Sequence, residues 1–456
     1  MRAEVFRRKP KFAELVKTWG DKTLLDYYGQ DFMVLPTPSA DILDVIEREV
    51  SRVLGADVAT SARNAIASQG WVNTADHHGL LHHPYFYTAS LALSNKSVAG
   101  DTKATVTLPF GGVSLGNDSF PRGFSFHDSD VKLQKIFFKS LKYRRLPIFS
   151  LAPMSLEELI HEKHRAASLA LKPEARNRLL SLFDAFLSDK KVWSQETYSA
   201  QLTVMNNILW HKLFGDERGD LVYLEIDSVV RTLLLEKHIP AKTDIHQLLF
   251  KREWREKFVE LFNGIQGSHD DDSGTHLFWY IDYVANTRRR LTISGDNLIT
   301  TDSSVIIPLT EEAIAKGLIA RTLMPSSALT LIIVQEVENL TCGGGPSQLD
   351  YLLAYFRQWK TLLECFGKNK NIASPSILCE GSTLFQVTDT KREACEVATL
   401  IDLLLYTSDR TTLVDKALTS TSISPSIDAM IPTYYKLFAK EIVSARSADK
   451  IHSIVI

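Results

Sequence analysis

Residues 70–97 read GWVNTADHHGLLHHPYFYTASLALSNKS, and the rest of the chain is organised around this stretch. Its first residues predict a short strand over 70–75. Pro84 predicts the first turn of a helix, because proline needs no N–H there and its φ is already helical. The loop between them lies ahead of a helix N-terminus, which attracts negative charge. We therefore expect an active or binding site in this loop.

Four of the chain's 13 histidines crowd into this loop. Imidazoles act as acid–base groups, donate hydrogen bonds to phosphate or carboxylate oxygens, or bind metal ions. The catalytic candidates are His78, His82 and His83, and His77 is a candidate for substrate binding. A narrower interpretation keeps only His78 with either His82 or His83. Asp76, His78 and His82 form an alternative metal set, which is less favoured because the chain has no HExxH and no distant ligand at a recognisable spacing.

Strand and helix signals alternate after this stretch. Residues 102–113 alternate as a strand, and 221–226 predict the next one. Strand, helix and strand in this order predict a parallel β-α-β unit, so the expected fold class is α/β with a Rossmann-like parallel sheet core. The apolar run 330–337 predicts a further buried strand, and 276–299 predict two strands around a turn.

Helical patterns flank this core. The expected organisation is a helical N-terminal subdomain (1–69), the core (70–365) with a helical insertion at about 132–214, and a mainly helical C-terminal region (366–456).

A second loop, SLGNDSFPRGFSF (114–126), follows the strand predicted at 102–113. Loops at the carboxyl ends of parallel strands bind ligands, so this loop is expected to face the histidines. Arg122 is a candidate clamp for a carboxylate or phosphate because its planar fork binds such groups in two places. Asn117 is a candidate for orienting the ligand. The alternatives are a solvated loop arginine and an asparagine that only shapes its turn.

A glycine-rich turn, TCGGGPSQLD (341–350), predicts the opposite wall of the same pocket. Gly344 and Gly345 are candidates for bringing backbone N–H groups close to the substrate. Gln348 and Asp350 are candidates for reading its polar groups, although in a first helical turn they also favour the start of the helix. Cys342 is interpreted as a small buried residue in preference to a nucleophile.

Composition excludes several classes of partner. The 52 basic and 54 acidic residues nearly cancel, so neither nucleic acid nor an anionic membrane is expected. The chain shows neither a secretory signal nor an apolar window of roughly 20 residues. Its four cysteines lack a CxxC pair, which favours a reduced, cytoplasmic protein. The expected partner is a small-molecule substrate. A homodimer is the expected oligomer, since closed dimers are the commonest assemblies.

Several of these segments resemble one family, in the same order along the chain. HHGLLHHPYF (77–86) is similar to the Gln-Gln, Gly-Leu, Gly-Pro loop of the bacillithiol biosynthesis cysteine-adding enzymes, with His77 and His78 in place of the two glutamines. GPSQLDY (345–351) resembles the family's Gly-Pro-Gly-Glu-hydrophobic-Asn-Tyr segment. THLFWYID (275–282) with RRRLTI, and RTLM (321–324), resemble its Leu-Phe-Tyr section with the charged strand and its Arg-Pro-Leu-Met.

The resemblance implies a Rossmann-like nucleotidyltransferase fold and an enzyme that joins cysteine to a glucosaminyl-malate acceptor. Two features of the family are missing: GGVSLGNDSFPRG (111–123) replaces its Glu-Asp-His-Asp segment, and its long coiled coil is absent. We therefore expect a ligase or transferase that attaches an amino-acid or thiol-bearing unit to a small acceptor, with a nucleotide or a divalent metal as candidate cofactor. A metal-dependent hydrolase and a non-catalytic binding or scaffold protein are the alternatives.

Overall fold

Helices and short strands follow one another along the chain, and the computed structural model describes residues 1–30, 35–100, 102–270, 273–369, 377–379, 381–389, 394–439 and 451–456. The strands are β1 (Trp71–Asn73), β2 (Ala104–Thr107), β3 (Gly123–His127), β4 (Leu133–Phe137), β5 (Asp220–Tyr223), β6 (Phe278–Asp282), β7 (Thr287–Ser294), β8 (Asn297–Thr300), β9 (Ile306–Pro308), β10 (Leu323–Pro325), β11 (Thr341–Gly343), β12 (Phe385–Asp389), β13 (Ala394–Val397) and β14 (His452–Val455). The α-helices are α1 (Arg2–Arg8), α2 (Pro10–Trp19), α3 (Leu24–Tyr28), α4 (Ala40–Val53), α5 (Ala56–Gln69), α6 (Pro84–Leu93), α7 (Lys96–Ala99), α8 (Leu156–Ala167), α9 (Pro173–Ser188), α10 (Lys190–Trp193), α11 (Tyr198–Phe214), α12 (Ile226–Leu233), α13 (Asp244–Phe250), α14 (Arg252–Phe262), α15 (Glu311–Ile319), α16 (Ser327–Leu331), α17 (Gln348–Cys365), α18 (Leu400–Tyr406), α19 (Arg410–Ser420), α20 (Ile423–Asp428) and α21 (Ile431–Ala439). Single turns of 3₁₀ helix lie at Leu141–Tyr143 and Ile148–Ser150, and π-helical turns at Leu234–His238 and Ile332–Val337.

A parallel sheet of four strands, in the order β11-β1-β2-β5, forms the centre of the fold. Neighbouring strands are in register at Trp71 with Thr341, Asn73 with Thr107, and Thr107 with Tyr223. Helices α5 and α6 pack against β2, and α11 packs against β5. The fold is therefore mixed α/β and consistent with a Rossmann-like core, which confirms the predicted class.

The local chemistry at 70–97 produces the predicted strand, loop and helix. Gly70 ends α5 with φ +72°, a left-handed conformation that glycine adopts without strain, and its N–H donates to the Ile66 carbonyl at 2.9 Å. The chain then enters β1. Pro84 opens α6 as predicted, and the Nδ1 of His83 accepts from the Tyr85 N–H at 3.3 Å.

A second sheet, in the order β10-β6-β7-β8-β9, is antiparallel throughout. Its β6-β7 hairpin confirms a turn within 276–299, but the segment contains a third strand in place of the predicted two, since β8 begins at Asn297. The exposed end of this hairpin carries Tyr283 and Val284. Arg288, near the same end of β7, lines a cavity between the two sheets' loops.

The prediction of a strand at 330–337 is wrong. These residues form the end of α16 and a π-helical turn, and the strand lies at β11 instead. Ser326 caps α16, its Oγ accepting from the Leu329 N–H at 3.1 Å. Because the run is buried on all sides, the spacing of its apolar residues does not distinguish a helix from a strand.

Two regions expected to be helical also contain strands. The antiparallel β3-β4 pair brings β4 into the insertion predicted at 132–214. The region 366–456 contains a sheet in the order β13-β12-β14. These strands have at most five residues each, too few for alternation to stand out against their helical surroundings. Among the described helices, none combines the length and apolar composition that crossing a bilayer requires.

Candidate functional site

A cavity of about 390 Å³ opens where the loops that follow β1, β2 and β11 meet. In open parallel sheets, ligands bind at this carboxyl edge of the strands. The volume lies within the range of small-molecule sites, roughly 300 to 1,000 Å³. Its wall includes His77, Asn117, Arg288, Gly345 and Gln348.

Direct hydrogen bonds join the loop after β1 to the turn after β11. The Thr74 N–H and Oγ1 both donate to the Gly343 carbonyl, each at 3.0 Å. Gln348 spans the junction: its Oε1 accepts from the Gly345 N–H at 2.9 Å, and its Nε2 donates to the Thr74 carbonyl at 3.1 Å. The expectation that the two turns close over one pocket is confirmed.

Replacing Gln348 with leucine is expected to lower the free energy of unfolding by roughly 2 to 4 kcal/mol. The side chain is 5% exposed, so the change removes the partners of two buried polar groups, the Gly345 N–H and the Thr74 carbonyl. Urea unfolding measures the loss. Gln358→Leu, at a half-buried position of the same helix, is the control and should change stability by less than about 0.5 kcal/mol. Equal effects of the two variants would contradict the bridging role of Gln348.

His77 is the one histidine of the loop that lines the cavity. Its ring packs against Phe86, with centroids 5.4 Å apart, and its Nδ1 lies 3.1 Å from the Ser119 Oγ. Burial lowers the pKa of His77 to about 4, so the imidazole is neutral near pH 7. The loop after β2 therefore faces the histidine loop, as predicted.

The other three histidines do not line the cavity, which removes the geometric basis for assigning His78, His82 and His83 as its catalytic groups. The loop turns inward after His77 because the Asn206 amide on α11 donates to the Gly79 carbonyl and accepts from the Leu81 N–H.

The rings of these three histidines contact different partners. His78 packs on Tyr223, with centroids 5.7 Å apart, and the Nδ1 of His82 lies 2.8 Å from the Leu80 carbonyl oxygen. His83 caps α6. Burial lowers the pKa of His78 and His83 to about 3 and that of His82 to about 4.

The alternative metal set is also wrong. The Asp76 carboxylate accepts from the Asn73 amide at 3.0 Å and from the Tyr223 hydroxyl at 2.9 Å, and burial raises its pKa to about 7. His78 and His82 face other partners. Within the described ranges, no three His, Cys, Asp or Glu side chains are arranged to hold a metal ion.

The clamp assigned to Arg122 is not found at the cavity. Its guanidinium stacks on Phe137, 4.6 Å from the ring centroid, and it is absent from the cavity wall. Asp350 pairs with Lys9 at 3.4 Å. Gly344 exchanges backbone hydrogen bonds with residues 377–379, so its N–H is already used. Gly345 and Asn117 do reach the wall.

Arg288 is the cationic group that the sequence analysis missed. It lies on β7, stacks on Trp279 at 4.4 Å, donates to the Gly112 carbonyl and lines the cavity. It is the one formally charged residue among the described lining residues, and no acidic side chain of the described chain lies within ion-pair distance of it. Burial lowers its pKa, the penalty expected of a cation removed from water, and the negative charge of Asp227 opposes this shift. Arg289 instead pairs with Asp282 and Asp302.

No protein-family model and no curated protein sequence matches this chain.

An acidic side chain reaches the loop after β2 from the helix that follows the neighbouring strand, β5. Asp227, at the start of α12, accepts from the N–H groups of Gly111 at 2.6 Å and Gly112 at 3.0 Å. Burial and the adjacent Glu225 raise the pKa of Asp227 to about 7. A Cβ on Gly111 would lie 1.9 Å from the Glu225 Oε1, so only glycine fits there. This arrangement turns the Gly112 carbonyl towards Arg288.

Cys342 lies within β11 and is 1% exposed. Burial raises the pKa of its thiol well above the usual range, so the thiolate needed for nucleophilic attack is not formed near neutral pH. This is consistent with the interpretation of Cys342 as a small buried residue.

Proposed function

We propose that the chain is a small-molecule biosynthetic enzyme of the ligase or transferase type, which attaches an amino-acid or thiol-bearing unit such as cysteine to a small anionic acceptor. The observation that carries this proposal is Arg288, a partly buried cation without an acidic partner in the described chain, on the wall of the cavity. A guanidinium in that position binds a carboxylate or a single phosphate in two places.

The position of the cavity supports the same assignment. Three loops at the carboxyl edge of a Rossmann-like sheet form it, and two of them carry the segments that resemble the cysteine-adding family. Its size suits two small substrates held side by side. In this proposal Arg288 holds the acidic group of the acceptor, the Gly345 backbone forms the opposite wall, and His77 faces the reacting groups. A triphosphate needs more cations than the one that lines this cavity, so a nucleotide that activates the carboxyl group for condensation would bind outside it.

Mass spectrometry tests the proposal directly. The protein is incubated with cysteine and glucosaminyl-malate, with and without ATP and Mg²⁺, and the mixture is searched for a conjugate with the mass of both reactants less one water. We expect a protein-dependent conjugate that Arg288→Met abolishes. If neither a conjugate nor a ligand-induced rise in melting temperature appears with these reactants or with other amino acids and sugar acids, the proposal fails.

A non-catalytic ligand-binding protein is the second candidate. It is favoured by the burial of His78 and His82 and by the glycine pair, Gly111 and Gly112, at the start of the segment that replaces the family's acidic one. A melting shift with the anionic acceptor but no conjugate under any condition would support this candidate over the enzyme.

A further inference from the structure

A short relay of side chains holds the ring of His77. The relay consists of Asn117 and Ser119, both on the loop after β2. We infer that this relay fixes His77 with its proton on Nδ1, so that Nε2 offers a lone pair to the cavity and accepts a hydrogen bond from a donor group of the ligand. Ser119 and Asn117 are positioning residues in this scheme, and the role of His77 as a ligand contact rests on the proposed function.

The relay begins at the Asn117 amide, whose orientation the backbone determines. The Ser119 N–H donates to the Asn117 Oδ1 at 2.9 Å. The reverse orientation would place an NH₂ group against that N–H, donor against donor, so the oxygen must face Ser119.

The direction of the next hydrogen bond follows. The Ser119 Oγ lies 2.8 Å from the same Asn117 Oδ1, which can only accept, so the hydroxyl proton points at Asn117. A serine hydroxyl has one proton, and its oxygen then offers only lone pairs to other neighbours.

The His77 Nδ1 lies 3.1 Å from that oxygen. An unprotonated Nδ1 would set two lone pairs against each other, whereas a protonated Nδ1 donates to Ser119 and completes the chain. Burial keeps the ring neutral near pH 7, so only one nitrogen carries a proton. Nε2 is therefore the acceptor.

The packing of the ring directs Nε2 to the cavity. Since Nδ1 faces Ser119 and one ring face packs on Phe86, the opposite edge is left for the cavity wall, which includes His77. A ligand that presents an ammonium, hydroxyl or thiol group fits this acceptor.

Nitrogen NMR on the full-length protein labelled with ¹⁵N-histidine tests the tautomer without any substrate. The ¹⁵N shifts of protonated and unprotonated ring nitrogens differ widely, and the signals of His77 are those lost in His77→Gln. We expect a protonated Nδ1 and an unprotonated Nε2 in the wild type, and a shift of population towards the Nε2–H form in Ser119→Ala. A wild-type ring protonated on Nε2, or a Ser119→Ala ring identical to the wild type, would overturn the inference. Far-ultraviolet circular dichroism checks that the variant is folded.

A pair of substitutions tests the contact with the ligand, using cysteine as the probe. A glutamine amide reaches the position of Nε2, whereas an asparagine amide reaches only that of Nδ1. We expect His77→Asn to bind cysteine at least about tenfold more weakly than His77→Gln, a difference of about 1.4 kcal/mol. Equal affinities would overturn the contact. The tautomer measurement is independent of the proposed function, so its failure and the failure of that function are distinguishable.

Discussion

Replacing Arg288 with methionine is expected to weaken the binding of an acidic acceptor by about 100-fold or more. The guanidinium is partly buried, and although Asp227 is close enough to raise its pKa, no carboxylate of the described chain lies within ion-pair distance, so an anionic ligand would gain a direct charge–charge contact. Methionine keeps an unbranched apolar side chain but loses the guanidinium, which stacks on Trp279 and donates to the Gly112 carbonyl. Because part of any loss reflects these contacts, binding is compared between a ligand with carboxylate groups and one without.

Isothermal titration compares the affinity for glucosaminyl-malate with that for its diamide, which lacks the two carboxylate charges. The wild type should prefer the acid, and Arg288→Met should bind both equally. Arg289→Met is the matched control, because Arg289 is next in sequence but pairs with Asp282 and Asp302 away from the cavity. If Arg288→Met kept the preference for the acid, Arg288 would not be the anion-binding residue.

Replacing Asp76 with asparagine is expected to stabilise the protein at alkaline pH and progressively less as the pH falls. Burial raises the pKa of Asp76 from 3.8 to about 7, so the folded state favours the protonated carboxyl. The resulting stability is fully present below pH 3.8 and is lost as the pH rises through 7. The complete loss is about 4 kcal/mol, of which about 3 kcal/mol falls between pH 5 and pH 8. An asparagine side chain has no charge to bury.

Urea unfolding of both proteins at several pH values between 5 and 8 gives this difference, and the contribution of Asp227 cancels because both proteins contain it. Asp118→Asn, which removes an exposed carboxylate, is the control, and the difference for Asp76→Asn should depend on pH more steeply. A pH-independent difference for Asp76→Asn would show that Asp76 is ionised in the folded state throughout this range.

The sequence predicted those features that depend on local chemistry. Gly70 and Pro84 mark a helix end and a helix start by backbone conformation alone, so the strand, loop and helix at 70–97 could be placed. The parallel unit followed from the order of its elements. The β6-β7 hairpin followed from its alternation.

The direction of individual side chains could not be predicted in the same way. The four histidines are equivalent in the sequence. Only the hydrogen bonds from Asn206, over 120 residues away in the chain, to the backbone of the loop distinguish His77 from the three histidines that turn inward. Arg288 was not singled out, because the basic residues were weighed only by the overall balance of charge. Because side chains alternate along a strand, the run RRR in a predicted strand had to direct at least one arginine away from its neighbours, and that signal was available.

The position of β1 between β2 and β11 has a consequence for how the chain folds while it is being translated. The partner on one side, β2, emerges from the ribosome soon after β1, whereas the partner on the other side is made only when residues 341–343 are reached. Until then the nascent chain carries an unpaired strand edge beside Trp71 and Val72, a surface prone to non-native pairing. Assembly of this sheet should therefore be slow and should depend on chaperones more than the hairpin sheet does, since its decisive pairing spans most of the polypeptide.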